Sequence, residues 1–284
     1  MMWKDSYRTG IDLVDTQHKE LFNVIEKLLI IVEGEDAQAR KQECISAITF
    51  LNDYVVKHFT AEEEYQQSIN YSDIEAHKTL HRIFIKTVEN LSIRLYNSDF
   101  AVPVVREFGG ILTTWLIYHV IGVDQKLKTN EHLHFEKVNP SASYAECFAQ
   151  SASTTLEAMA GLPAGNVTFA PFSGKADDIR VMIGLIGHHE GEAIFTYSKD
   201  IALNLIKAMT SIELTDVDEL VWSALSETTN IISGNASSLI AESGKTIDIT
   251  TPKIINDFPK INTKCDGFYL DTDFGSMAVS VNVE

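Results

Sequence analysis

Residues 58–81 read HFTAEEEYQQSINYSDIEAHKTLH. His58 and Glu62 stand four apart at one end, and His77 and His81 four apart at the other. Side chains four apart on an α-helix project from one face, so two successive helices each turn a pair of metal-ligand side chains the same way. Helical apolar spacing continues in both directions, and between Val14 and Thr129 the only breakers are Gly34, Pro103, Gly109, Gly110 and Gly122. The pattern predicts four helices: about Val14 to Glu33, Ala37 to Gln67, Ser72 to Tyr96, and a last one from Pro103, placed in its first turn, to about Lys128. Ser72, ahead of Asp73 and Glu75, reads as the N-cap of the third. Four long helices with short connections make an antiparallel bundle.

The outer helices complete the set. His18 lies in the first, and His119 and Asp124 lie in the fourth. Five residues turn an ideal helix about 140° past a full turn, so His119 and Asp124 share a target only if the helix widens locally or the target lies near its end. Gly122, between them, eases such widening. Imidazole suits iron, and carboxylates can bridge two cations and offset their charge. Five imidazoles and two carboxylates from four helices can hold two ions and leave one coordination position open. Singly, any of these histidines reads as an ordinary core residue. As a set they are costly to bury unless something pairs with them. Glu63 and Glu64 read as solvated, and His132 and His134 as surface residues past the bundle.

The 284 residues allow two domains. The formal charge of −17 divides into −6 over residues 1–137 and −11 over the rest, with no Lys/Arg run. That balance speaks against nucleic acid and against anionic membranes. Cys44, Cys147 and Cys265 are isolated and odd in number, as expected of reduced thiols in a cytoplasmic protein. No signal core and no membrane-length apolar run is present, so no membrane association is expected.

Periodicity lapses over Thr129 to Ser143, and the expected division is residues 1–130, a linker at 131–141, and 142–284. The second part reads as α+β: a helix Tyr144 to Ala160 closed by Gly161, a hairpin of Arg180 to Gly187 and Glu190 to Tyr197 around His188-His189, and helices Asp200 to Thr210 and Asp216 to Ala241. Strands Thr246 to Thr251, Cys265 to Asp271 and Ser276 to Asn282 follow. In the longer helix Val221, Leu225, Thr228 and Ile232 form an apolar stripe, with Glu227 and Asn230 three apart on another face as an exposed acid–amide pair. The His188-His189 tip reads as a solvated turn.

The strings Asp15-Thr16-Gln17-His18, His58-Phe59-Thr60-Ala61-Glu62-Glu63, His77-Lys78-Thr79-Leu80-His81 and Trp115 through Asp124, with Trp3, Tyr7, Gly10 and Ile11 ahead of them, resemble the bacterial hemerythrins over about residues 1–130. The resemblance implies an oxo- or hydroxo-bridged pair of iron ions. His77, His81 and His119 would hold one iron and His18 and His58 the other, with Glu62 and Asp124 bridging. O2 would be the ligand at the second iron. Leu21, Phe59, Trp115, Leu116 and Val120 match the family's apolar oxygen pocket. Val120 stands where the family usually has Ile, and the smaller side chain leaves room for water.

The run Glu227-Thr228-Thr229-Asn230-Ile231-Ile232-Ser233-Gly234-Asn235-Ala236 resembles the Glu-x-x-Asn helix of the CheX/CheC/FliY chemotaxis phosphatases, more weakly, over about residues 142–284. With one such motif the order of elements is that of CheX. The resemblance implies hydrolysis of the aspartyl phosphate on a CheY-like response regulator, whose receiver domain supplies Mg2+. Asn230 would orient the attacking water and Glu227 would pair with the receiver's lysine. It also implies a homodimer through the second part. The joint expectation is an oxygen- or redox-sensing protein acting on a response regulator. The alternative is an oxygen store or a signalling adaptor whose second part only binds or dimerises.

Overall fold

The computed structural model describes residues 2–32, 34, 36–128, 142–161, 165–170, 178–255 and 266–283. The chain forms two compact units, residues 1–134 and 135–284. The proposed linker, His132, His134 and Cys265 lie outside the described residues.

The first unit is an all-α, antiparallel four-helix bundle: α1 Asp12–Val32, α2 Ala37–Ser68, α3 Ile74–Asn97 and α4 Val102–Tyr118. Each helix buries residues three or four apart. On α1 these include Val14, His18, Leu21, Phe22, Ile25, Leu28 and Leu29, and on α3 His77, His81, Phe84, Val88, Leu91 and Leu95. Each fully buried Leu, Ile or Phe stabilises the fold by about 1.5–3 kcal/mol. The apolar end of the bundle thereby offsets the cost of a polar interior at the other. Asp36 caps α2 by accepting from the N–H groups of Gln38 and Ala39. The N-cap of α3 is Asp73 rather than Ser72, without a side-chain capping bond, and Ser72 Oγ donates to Asp73 Oδ1.

The fourth helix does not run evenly to Lys128. After Tyr118 the chain widens into a π-helical turn, His119–Val123, in which the Asp124 N–H donates to the His119 carbonyl, and then tightens into a 3₁₀ turn, Asp124–Lys128. Of the two ways expected to bring His119 and Asp124 together, local widening is present. Gly122 permits it for a second reason too: a Cβ there would fall 3.0 Å from Cε2 of the Tyr118 ring. An N-terminal arm packs Trp3 and Tyr7 edge-on to one another and against Phe22. Gln125 Nε2 clamps it, donating to the carbonyls of Tyr7 (2.7 Å) and Arg8 (3.3 Å).

The second unit is α+β. It comprises α5 Tyr144–Ala160, β1 Asn166–Phe169, β2 Ile179–Gly187, β3 Gly191–Tyr197, α6 Lys199–Thr210, α7 Glu219–Glu242, β4 Ile247–Ile249, β5 Lys253–Ile254, β6 Asp266–Thr272 and β7 Gly275–Val283. Among the described residues these strands form one antiparallel sheet, ordered β1-β6-β7-β3-β2-β4, with β5 also on β2. α5 carries a reciprocal Ser143–Glu146 capping box and ends at Gly161 in the left-handed region (φ 66°). α7 begins at Glu219, not Asp216, because Asp218 accepts from the N–H groups of Leu220 and Val221 and so fixes the start. Ser151 Oγ donates to the Ile232 carbonyl, and the Tyr197 hydroxyl shares a 2.8 Å bond with Thr229 Oγ1. These buried bonds set the rotation of α7, which leaves Glu227 and Asn230 half-buried. β1 and β5 were not expected. β1 has four residues, all exposed, and β5 has two, so neither carries a one-sided apolar alternation.

Candidate metal centre

All seven predicted ligands meet inside the bundle, each at most 2% exposed. Glu62, His77, His81 and His119 bring ligand atoms within 4.8 Å of one another. His58 joins through Glu62 (Nε2–Oε2 3.7 Å), and His18 through Asp124 (Nε2–Oδ2 3.2 Å). The imidazoles fall into two groups. His77, His81 and His119 have ring centroids 4.6–5.0 Å apart, and His18 and His58 lie 4.8 Å apart.

The two carboxylates lie between the groups. Glu62 Oε1 is 2.9 Å from His77 Nε2, and Oε2 is 3.5 Å from His81 Nε2 as well as facing His58. Asp124 Oδ1 faces His119 (3.2 Å) and His77 (3.4 Å), while Oδ2 faces His18. A three-plus-two division of imidazoles with carboxylates spanning it is thus present in the geometry itself.

These groups do not satisfy one another. Both ring nitrogens of His18 and His77, Glu62 Oε2 and both Asp124 oxygens are buried without a hydrogen-bond partner among the described residues. Orphaned polar atoms at such density need a ligand that the protein does not supply. Burial pushes His18 down to about 4 and His58 to about 3, and holds His119 well below the usual imidazole range. Neutral imidazole is the form that ligates metal. The carboxylates diverge. Burial and the neighbouring Glu62 raise Asp124, whereas Glu62, against the same burial, is held low by the His77 and His81 rings beside it. The donor set fits a pair of divalent or trivalent ions.

Outer groups orient the ligands. His58 Nδ1 lies 3.0 Å from Gln17 Oε1, and His81 Nδ1 lies 2.9 Å from Glu63 Oε1. Such contacts fix which ring nitrogen faces the metal and raise ligand basicity. Glu63 is therefore not the solvated residue expected; Glu64 is exposed. Gln66, wholly buried, donates from Nε2 to Glu62 Oε1 at 3.0 Å. Gln17, Glu63 and Gln66 were not read from the sequence as supporting groups, although position 66 follows Glu62 by one helical turn. The five pocket residues are all buried. Phe59 stacks on His81 (3.7 Å, 4°) and Trp115 on His119 (4.4 Å, 14°), with Leu21, Leu116 and Val120 in the same core.

Glu227 and Asn230 are half-buried on α7, not fully exposed. Burial raises the Glu227 carboxyl to about 8, against a hydrogen bond with Asn230 that lowers it. His188 and His189 occupy the β2–β3 turn, where the His188 N–H donates to the Thr246 carbonyl. No helix among the described residues is long and apolar enough to cross a membrane.

The cation-binding HHE domain of the hemerythrins matches residues 9–129, and the chemotaxis phosphatase CheX domain matches residues 179–266. A bacteriohemerythrin of Clostridium acetobutylicum is 30% identical over 125 residues, 44% of this chain and 96% of that protein. A bacteriohemerythrin of Pseudomonas aeruginosa is 33% identical over 122 residues, 42% of this chain and 74% of that protein. Among solved structures, a CheX–CheY–BeF3–Mg2+ complex from Borrelia burgdorferi is similar at 26% identity, covering 50% of this chain and 98% of that one, with a TM-score of 0.44. The chain belongs to the hemerythrin family. It is a fusion, with the hemerythrin domain in its first part and a CheX domain in its second.

Proposed function

We propose that the bundle is a di-iron, oxygen- or redox-responsive centre that governs a CheX domain acting on a CheY-like receiver. The observation that carries this reading is the three-plus-two set of buried imidazoles spanned by two carboxylates, held on the same chain as a Glu-x-x-Asn helix. In this reading residues 1–130 form the sensing domain, 131–141 the linker and 142–284 the effector. His77, His81 and His119 would hold one iron and His18 and His58 the other, with Glu62 and Asp124 between them. Iron bound there supplies O2 binding and one-electron redox chemistry. The residues do the rest. Glu63 and Gln17 hold His81 and His58 in ligating orientation, while Phe59, Trp115, Leu21, Leu116 and Val120 exclude water from the open position.

On α7, Asn230 positions a water in line with the receiver's acyl phosphate, and the receiver brings its own Mg2+. A carboxyl raised to about 8 is largely protonated in the free domain. Docking against a lysine converts it to the carboxylate, so Glu227 also reports a correctly seated partner. Edge strand β1, with Val167 and Phe169 exposed, offers a pairing surface for a second copy. The test follows decay of a phosphorylated receiver with the reduced and the oxidised protein. Different rates support the reading, and equal rates remove the regulatory half of it. A receiver that binds yet keeps its phosphate assigns the second domain to adaptor work.

A further inference from the structure

We infer that Asp15 and Gln125 are positioning residues for the His18–Asp124 side of the metal centre, acting from opposite ends of one tie made by the N-terminal arm. The inference rests on the di-iron reading above and deepens it, by naming what fixes the geometry around the group with the fewer imidazoles.

The carboxylate of Asp15, a residue 5% exposed, faces the arm. Its Oδ1 accepts from the Thr9 N–H (2.6 Å) and the Thr9 hydroxyl (2.8 Å), and its Oδ2 from the Gly10 N–H (3.1 Å). Gly10 lies in the left-handed region (φ 82°), a backbone turn that favours glycine and here brings two successive N–H groups to one acceptor. Gln125 Nε2 holds the two residues before them, through the carbonyls of Tyr7 and Arg8. Tyr7, Arg8, Thr9 and Gly10 are consecutive, so the tie between Asp15 and Gln125 has no slack.

Both anchors stand beside ligands. Asp15 precedes His18 by about one turn of α1, and Gln125 directly follows Asp124. His18 Nε2 and Asp124 Oδ2 face one another at 3.2 Å. His58, His81 and Glu62 each have a hydrogen bond that orients them, whereas neither His18 nor Asp124 has one among the described residues. Their placement therefore rests on the backbones that carry them, and the arm joins those two backbones. The same arm lays Trp3 beside His18 (ring centroids 6.5 Å) and edge-on to Phe22.

The two imidazole groups depend on this tie unequally. His18 is one of only two imidazoles in the smaller group, and Asp124 Oδ2 faces it. The larger group takes His77 and His81 from α3, and Glu63 holds His81 independently of the arm. Slackening the tie weakens the hold on the ion of the smaller group more than on its neighbour.

The test titrates the full-length ferrous protein with an iron chelator, without air, and counts iron per chain at each step. The wild-type protein is expected to release the ion of the smaller group first. In Gln125→Ala the chelator concentration that removes this first iron falls roughly tenfold to a hundredfold, the range for losing a group that orients metal ligands. The concentration that removes the second falls by less. Asp15→Ala moves the first step the same way, and Asp15→Asn, which keeps an acceptor oxygen for Thr9, recovers part of the loss. The double variant Asp15→Ala with Gln125→Ala goes no further than the larger single change, because a tie cut at one end is already slack. An unchanged first step in Gln125→Ala overturns the inference. So do equal shifts of both steps, which mark a general weakening of the bundle, and single effects that add in full. Where Asp15→Ala fails to fold, Gln125→Ala decides alone. A wild-type chain that takes up no iron removes the di-iron reading and this inference with it. Two irons in the wild type, with an unmoved first step in the variant, remove the inference alone.

Discussion

The metal centre and the α7 pair place carboxylates in opposite settings. In the bundle, seven ligand side chains from four helices are at most 2% exposed, and several of their polar atoms lack hydrogen-bond partners among the described residues. On α7, two half-buried side chains from one helix bond to each other. The difference teaches what each needs. The first lacks something small enough to sit inside the protein, and the second lacks a macromolecular surface. Burial also acts differently on the two. It keeps His18, His58 and His119 neutral and ready for metal in one, and holds an acid protonated until a cation arrives in the other.

The strongest way to break this contrast is His77→Ala. His77 faces both Glu62 and Asp124, so its loss is expected to reduce bound iron to below about one ion per chain, measured by metal analysis, because a bridged pair needs both carboxylates aligned. Receiver decay in that variant reports whether the second domain works without its input. Asn230→Ala makes the converse cut. It should leave iron untouched and slow receiver dephosphorylation by about a hundredfold or more, the usual cost of losing one positioning group.

Acid titration of the metal-free chain sharpens the electrostatic side. His18 and His58 are lowered to about 4 and about 3. Their contribution to stability is full above the unfolded imidazole value, about 6.5, and is lost as pH falls through that value toward the folded ones. Asp124, raised by burial, opposes this, since its contribution is greatest at low pH. The net loss between pH 6.5 and 4 is on the order of a few kcal/mol by chemical denaturation, and bound iron removes most of it above pH 5. Glu227 gives a smaller effect of opposite form. Receiver dephosphorylation should rise with pH toward about 8 as the carboxyl ionises, and Glu227→Gln should flatten that profile. Gly122→Ala is the mildest probe. It presses on Tyr118 and the π-helical turn, and should loosen iron retention without unfolding the bundle.

Much of this was legible in the residues. Four-residue spacing placed His58 with Glu62 and His77 with His81. The five-residue spacing of His119 and Asp124 called for either a wider turn or a target near the helix end, and the structure has the wider turn at His119–Val123. Spacing succeeds there because ligand direction is a property of local backbone geometry. The supporting groups were not legible for a physical reason. Gln17, Glu63 and Gln66 are polar residues whose burial depends on a partner that becomes visible only when helices pack. Glu63 read as solvent-facing because its partner, His81, lies on another helix. Strand β1 escaped notice because an exposed edge strand has no buried face to impose alternation. The half-burial of Glu227 was hidden likewise, since helix periodicity gives a direction but not what packs beside it.

The measurement that bears most directly on the account is metal content together with the electronic spectrum of the protein purified in air. The account expects about two irons per chain and the near-ultraviolet charge-transfer bands of a bridged diferric pair. A single ion per chain, or another metal without those bands, would contradict it.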